Sequence, residues 1–311
     1  MEAVYNRMKS SQGMISRYKI LLITIILIAA AVILTLVISG TRKKDDLKSS
    51  LFPEPLQESQ VMKLSVKSEF MGREMPCMIY LPKGYGDGDE YPVWYGLNGY
   101  SSNEAMWVNN GIAEDADELI ENGEIKPLIM VFPYTKDADI KEISKDLEDG
   151  SIDERNIDKY ISQELVPYID SHYYTIPSAD NRYIGGFSMG GMIALRIAFH
   201  HTDLFSKVGG YSAAVISSDY SGTQLEEWLY PNDDFDEISD ITKFDKEKGF
   251  DKLKVQIDAG NSNDPFSTGL QSLYEALQKR GITTEFQLYD GGHTLRRDSI
   301  KDYLKFYAAT K

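Results

Sequence analysis

Ser188 is the residue whose sequence surroundings best fit nucleophilic chemistry. It is the central residue of a Gly-x-Ser-x-Gly motif bounded by Gly186 and Gly190, with a strand-like run before it and an apolar helix-like run after it. In such a nucleophile elbow the turn is so tight that the flanking positions are nearly free of side chain, and a strained backbone projects the serine hydroxyl above the sheet. The motif predicts a nucleophile; a glycine-rich turn with an incidental serine is the alternative.

A general base is the second requirement, because a serine hydroxyl is a poor nucleophile until a nearby base accepts its proton. The sequence has four histidines, and only His293 follows the last predicted strand, on the loop before the last predicted helix. The others, His172, His200 and His201, lie near predicted helix ends, where surface or capping roles are expected. We therefore predict that His293 is the base.

An acid that orients the imidazole is expected between the serine and the histidine in chain order. Two carboxylates, Asp258 and Asp264, lie in the appropriate stretch. We favour Asp264, because it stands in the loop beyond a predicted strand, from which the chain can bring it to the histidine; Asp258 is the reserve candidate. The competing interpretation of Asp264 is a helix N-cap, with Pro265 at the first helical position.

Acyl transfer also builds negative charge on the carbonyl oxygen of the substrate, and backbone N–H groups stabilise that charge. The stretch 97–102 ends the first predicted parallel strand. We expect its Tyr100 amide and the amide of Met189 to form this oxyanion hole. Asn98 and Trp107 are predicted to contact the substrate, although aromatic residues near a sheet more often belong to the core.

The candidate residues lie on loops within a repeating pattern of strand and helix. Two opening strands at 61–70 and 75–81 resemble an antiparallel hairpin. Further strands are predicted at 91–97, 128–132, 182–185, 207–211, 253–258 and 284–289, and helices at 104–122, 153–172, 189–200, 266–280 and 298–309. Repeated strand–helix units imply an α/β fold with a mostly parallel central sheet and helices on both faces, and such sheets carry their chemistry at the C-terminal ends of the strands. Residues 212–250 are expected to form a cap over the site.

With these residues in hand, the chain resembles the esterase D-like family of α/β-hydrolases, which includes feruloyl and acetyl-xylan esterases, S-formylglutathione hydrolase and enterochelin esterase. The resemblance spans residues 61–309 and rests on the stretches 116–127, 131–133, 164–170 and 187–191. It implies an α/β-hydrolase fold, with Ser188 as nucleophile, Asp264 as acid and His293 as base, and no metal or organic cofactor. The family usually has His-Gly at the oxyanion loop, where this chain has Asn98-Gly99.

The composition excludes several other classes of protein. The chain has 311 residues, with 33 Lys and Arg against 48 Asp and Glu, and its net charge of −15 repels nucleic acids. The single cysteine, Cys77, cannot form an internal disulfide, and no Cys/His cluster has zinc-site spacing. The expected function is a serine esterase of acetyl or feruloyl type that acts on an acylated carbohydrate or another small-molecule or glycan ester. An acyltransferase that uses the same triad and a non-catalytic binding module are the alternatives.

The N-terminal part of the chain differs from the rest. Residues 20–38 form an uncharged run of 19 apolar residues, long enough as a helix to cross a bilayer. We interpret this run as a retained signal-anchor between a basic tail at 1–19 and a linker at 39–60, with a cleaved signal peptide as the alternative. Four basic residues lie on each side, so charge does not decide the orientation. We expect a membrane protein whose catalytic domain, 61–311, is extracytoplasmic.

Overall fold

The computed structural model describes residues 48–52, 54–135, 154–217, 219–220, 224–230 and 241–310. The chain divides into two units, Met1–Pro53 and Glu54–Lys311, and the central sheet belongs to the second. The predicted membrane span at 20–38 lies outside the described residues. Within those residues, no helix is both long and apolar enough to cross a membrane.

In the described part of the second unit, one sheet has eight strands in the order β1-β2-β4-β3-β5-β6-β7-β8. The strands are β1 (Gln60–Ser68), β2 (Arg73–Leu81), β3 (Val93–Leu97), β4 (Ile129–Pro133), β5 (Arg182–Phe187), β6 (Lys207–Tyr211), β7 (Lys254–Gly260) and β8 (Thr283–Tyr289). The hairpin β1–β2 and the pair β2–β4 are antiparallel, and every other pair is parallel. The predicted α/β class with a mostly parallel sheet is therefore confirmed.

Helices connect the parallel strands. They are α1 (Met106–Asn109), α2 (Ile112–Glu121), α3 (Glu154–Lys159), α4 (Val166–His172), α5 (Met189–His200), α6 (Gln224–Leu229), α7 (Ile241–Lys248), α8 (Ser267–Lys279) and α9 (Ile300–Ala308). The prediction of one helix over 104–122 is wrong, because Gly111 has a left-handed φ of 79° that separates α1 from α2. The predicted helix over 153–172 is also interrupted, by a π-helical stretch at Tyr160–Leu165 between α3 and α4.

Large aromatic side chains fill the core on both faces of the sheet. Consecutive residues of a strand point to opposite faces, and Trp94 and Tyr95 on β3 follow this rule. The Trp94 ring meets Trp107 edge-on at a centroid distance of 5.1 Å and stacks on Tyr307 at 5.1 Å, whereas Tyr95 meets Phe205. All five side chains are buried, so both faces of the sheet are covered at β3.

The last helix approaches the sheet at two paired glycines. Gly185 on β5 lies opposite Gly209 on β6. The hydroxyl of Tyr307, on α9, occupies the space that a Cβ at either glycine would need, and it donates a hydrogen bond to the carbonyl of Ile184 at 3.2 Å. A side chain at either position would therefore push α9 away from the sheet.

The segment predicted as a cap is described at 212–217, 219–220, 224–230 and 241–250. Its first residues lie beside the nucleophile elbow, since the Ala214 amide donates to the Ser188 carbonyl at 2.9 Å. Farther along, Trp228 on α6 lies 5.5 Å from the guanidinium of Arg196, about 12 Å along α5 from Ser188. The described α6 thus lies along α5, and the acidic run at 233–237 lies outside the described residues.

Candidate active site

Ser188 lies in a strained turn between β5 and α5. Its φ of 55° and ψ of −120° are uncommon for a residue with a side chain, and such strain persists only where the surroundings enforce it. The Ser188 amide donates to the carbonyl of Tyr211 at 2.9 Å. Across the turn, a Cβ on Gly190 would come within 2.5 Å of the carbonyl oxygen of Asn98. The strand, tight turn and helix of the predicted elbow are therefore all present.

His293 lies on the loop between β8 and α9, and its ring reaches the serine. The Nε2 atom of His293 is 2.8 Å from the Oγ atom of Ser188. The serine hydroxyl donates in this contact when the imidazole proton is on Nδ1. The ring of Phe187 stacks on the imidazole at 5.0 Å with an interplanar angle of 22°, and Phe266 meets it edge-on at 5.0 Å. The two phenyl rings restrict the orientation of the base.

Asp264 lies on the other side of the imidazole. Its Oδ1 atom is 3.4 Å from Nδ1 of His293, and its side chain is fully buried. The pair is not aligned as a hydrogen bond, so Nδ1 has no hydrogen-bond partner among the described residues. Such bonds are often long before a substrate binds and tighten in the complex. The carboxylate also accepts hydrogen bonds from the amides of Gly260 and Phe266, each at 3.0 Å.

The surroundings of Asp264 and Asp258 show which of the two carboxylates lies beside the base. Helix α8 begins at Ser267, with Phe266 rather than Asp264 as its N-cap residue. Asp258, the reserve candidate, is buried and accepts hydrogen bonds from the Tyr303 hydroxyl at 2.5 Å and the Ser212 amide at 2.9 Å. Burial raises the pKa of Asp258 to about 6. Asp264 is thus the carboxylate beside the imidazole, and Asp258 is bound to the core.

Asn98 is oriented toward the protein interior, which makes its predicted contact with the substrate wrong. Its side chain is buried, with Nδ2 donating to the carbonyls of Gly99 at 2.9 Å and Ser102 at 3.3 Å. Its Oδ1 accepts from the amide of Thr135 at 3.2 Å and from the Thr135 hydroxyl at 3.0 Å. These bonds use the donors and acceptors of the amide, so Asn98 holds the loop that follows β3.

Trp107 is also part of the core, and its predicted contact with the substrate is wrong. The side chain is 0% exposed, and its indole N–H donates to the carbonyl of Leu97 at 3.1 Å. Its ring packs edge-on against Trp94 and Tyr211. A fully buried ring presents no surface to a ligand.

The two predicted oxyanion donors lie on segments that touch each other. Met189 is the first residue of α5, directly after Ser188. Tyr100 follows Gly99 on the loop after β3, and a Cβ on Gly99 would lie 3.0 Å from the ring of Phe187. Because this loop packs against the elbow, the two segments that carry these amides both lie close to Ser188 in space. Their role as oxyanion donors stays a prediction.

Four residues around the site were not predicted from the sequence. Phe187 and Phe266 flank the imidazole, and Ser212 and Tyr289 bind to the loops that carry the acid and the base. A signal existed for two of them, since Ser212 and Tyr289 stand at the ends of predicted strands, where chemistry is expected. Among all the described residues, no group of three or more His, Cys, Asp and Glu side chains is placed to hold a metal ion.

Comparison with known protein families gives an independent assignment. The family model described as "Putative esterase" matches residues 68–297, which is more than half of the chain. Among curated proteins, an endo-1,4-beta-xylanase/feruloyl esterase from Xylanibacter ruminicola is 31% identical over 164 residues. That match covers 51% of this chain and only 22% of the longer relative.

Solved structures show the same fold at low sequence identity. A ferulic acid esterase from Anaeromyces mucronatus, solved in complex with ferulic acid, has a TM-score of 0.63 at 20% identity, covering 82% of this chain and 92% of that one. An S-formylglutathione hydrolase from Staphylococcus aureus has a TM-score of 0.58 at 17% identity, covering 82% and 98%. The sheet order, the elbow and the family match agree, and the chain belongs to the putative esterase family, with an α/β-hydrolase fold.

Proposed function

We propose that this chain is a serine carboxylic ester hydrolase with Ser188 as nucleophile, His293 as general base and Asp264 as the acid that orients the imidazole. One observation supports the proposal most directly: the 2.8 Å contact between Ser188 Oγ and His293 Nε2 joins residues that are 105 positions apart. A base at this distance accepts the hydroxyl proton as the oxygen attacks. The buried Asp264 stabilises the imidazolium that forms.

The reaction divides into two acyl transfers. In the first, Ser188 Oγ bonds to the ester carbonyl carbon while its proton passes to His293 Nε2. The bond to the alcohol oxygen then breaks, and the imidazolium protonates the leaving alcohol. In the second, water adds to the acyl-enzyme and gives a proton to His293, the acid leaves, and Ser188 recovers its proton. The amides of Met189 and Tyr100 would stabilise the oxyanion in both steps.

An acyl ester of a carbohydrate is the proposed substrate, with acetyl or feruloyl as the acyl group. The names of the relatives support this proposal, since one combines a xylanase with a feruloyl esterase and another was solved with ferulic acid. Aromatic rings beside the imidazole, Phe187 and Phe266, are consistent with a site that accepts an acyl group with an aromatic ring.

Ser188→Ala tests the proposal directly. The purified protein is assayed against a panel of p-nitrophenyl acetate, methyl ferulate and acetylated xylan, and labelled with a fluorophosphonate probe. Removing the nucleophile should lower kcat at least about 10⁴-fold and abolish labelling. Ser162→Ala, which removes a hydroxyl bonded to Asp158, is the matched control and should retain both. Undiminished turnover by the Ser188 variant would exclude this mechanism. In a separate assay of the wild-type protein, acceptor alcohols are added, and a new ester product would reveal acyl transfer to a hydroxyl.

We also propose that residues 20–38 anchor the protein in a membrane, with the esterase domain on the extracytoplasmic side. The support is the uncharged apolar run of that length, preceded by a short basic tail. An anchored domain would meet polymeric or diffusing esters outside the cytoplasm. A secreted enzyme, freed by cleavage after the apolar run, is the alternative.

A further inference from the structure

Ser212 is a buried serine with a strained backbone, placed directly after β6. The residue is 0% exposed and has a φ of 43°. A non-glycine residue in this region is strained, and it persists only where its surroundings hold it. The Ser212 amide donates to Oδ1 of Asp258 at 2.9 Å, which fixes the peptide. The strained turn thereby directs the hydroxyl toward the acid loop.

The Ser212 hydroxyl holds the carboxylate that lies beside His293. It donates to Oδ2 of Asp264 at 2.9 Å, and the amide of Gly260 donates to the same oxygen at 3.0 Å. The amide of Phe266 donates to Oδ1. Three donors therefore fix the carboxylate plane, and Oδ1 is the oxygen that faces the imidazole at 3.4 Å.

Tyr289 continues this chain of hydrogen bonds to the loop that carries the base. Its hydroxyl oxygen lies 2.6 Å from Ser212 Oγ. It also lies 3.2 Å from the carbonyl oxygen of Gly292 and 3.1 Å from that of Thr294, the residues on either side of His293. Since Ser212 gives its single proton to Asp264, the phenolic proton of Tyr289 is available to Ser212 Oγ or to either carbonyl. One buried phenol thus touches both the partner of the acid and the backbone of the base.

We propose that Ser212 and Tyr289 are positioning residues that hold Asp264, the acid, in alignment with His293, the base. The proposal rests on the proposed function, because it assigns the pair to the alignment of Asp264 with His293 during acyl transfer. The two hydroxyls join the loops after β6, β7 and β8, so a shift of one loop is transmitted to the others. A serine hydroxyl that has lost this alignment attacks its substrate more slowly, although the binding surface is unchanged.

The competing explanation is that these bonds only satisfy buried polar atoms. In that case their removal would lower stability and leave the kinetics of the folded enzyme unchanged. Ser212→Ala removes the hydroxyl and keeps the backbone conformation. Ser212→Gly removes the same hydroxyl and accepts the positive φ without strain, which preserves folding. Tyr289→Phe removes only the phenolic oxygen and retains the ring beneath Arg296.

The experiment measures kcat and KM for these variants and for the double variant Ser212→Ala/Tyr289→Phe. We expect each single variant to lower kcat about tenfold or more with KM within about twofold, and the double variant to be little worse than the poorer single one. Tyr80→Phe is the matched control, because it removes a buried hydroxyl that donates to Asp117 at 2.6 Å, away from the site. Unchanged kcat in both Ser212 variants and in Tyr289→Phe, or fully additive losses in the double variant, would overturn the proposal.

A spectroscopic readout separates this proposal from the proposed function. The chain has four histidines, so the imidazole ¹⁵N signals of His293 can be assigned with a His293→Gln variant. In Ser212→Gly and Tyr289→Phe these signals should shift, because the carboxylate facing Nδ1 changes position. They should stay in place in Tyr80→Phe. If the wild-type protein is inactive but the two variants show these shifts, only the proposed function is contradicted. If the wild-type protein is active but the variants show no shifts, only the positioning role is contradicted.

Discussion

Asp258 and Asp264 are close in sequence, and their surroundings give them different tasks. Asp264 is held by backbone amides and faces the imidazole, whereas Asp258 is enclosed by Tyr303 and the amide of Ser212. Replacing Asp264 with Asn should lower kcat by up to about 10⁴-fold, because an amide cannot hold the working tautomer of the base. Asp258→Asn should lower kcat less than about tenfold. Steady-state kinetics of the two variants checks this order, and equal losses would contradict the assignment of the acid.

The same pair of variants differs in how stability depends on pH. Burial raises the folded-state pKa of Asp258 to about 6, above its ordinary value. The folded protein therefore binds more protons than the unfolded protein between about pH 4 and 6, and this group makes stability fall as pH rises through that window. Asp258→Asn should remove this fall, whereas Asp264→Asn should keep it. Urea unfolding at several pH values measures the difference.

Among the elements, the elbow and the loop after β3 act as one unit because Gly190 brings them into contact. A Cβ on Gly190 would lie 2.5 Å from the carbonyl oxygen of Asn98 and 2.8 Å from that of Leu97. Gly190→Ala should therefore displace the loop that carries the predicted Tyr100 donor and lower kcat about 10²-fold or more. Ala198→Gly, farther along α5, weakens the same helix without reaching the loop and serves as the control. An active Gly190→Ala enzyme would show that the loop is not needed in this position.

Sequence patterns predict the positions of strands and loops more readily than they predict which side chains are buried. The Gly-x-Ser-x-Gly motif and the alternation of strands and helices predict where Ser188, Asp264 and His293 stand in the chain, because backbone constraints act locally. The burial of Asn98 and Trp107 depends on side chains from distant segments, including Thr135 and Tyr211. The same limit applies to Ser212, whose partners lie in β7, in the loop after β7 and at the end of β8, all distant from it in sequence.

For the molecule as a whole, the location of the esterase depends on residues 20–38. If this run is a retained anchor, the full chain should sediment with membranes, resist carbonate extraction and be released by detergent. A version lacking residues 1–47 should remain in the supernatant. Protease treatment of intact cells should remove the esterase domain if it is extracytoplasmic. Carbonate-soluble full-length protein would contradict the anchor.

The contact of Tyr307 with Gly185 and Gly209 has a consequence for biogenesis. Its hydroxyl fills the space above two adjoining strands that lack side chains there, so the interior has a hole until residue 307 is in place. On the ribosome, the interior of the domain could close only once residue 307 had left the exit tunnel. Until α9 docks, the nascent domain would stay short of its native state, and chaperones would meet it with that hole still open.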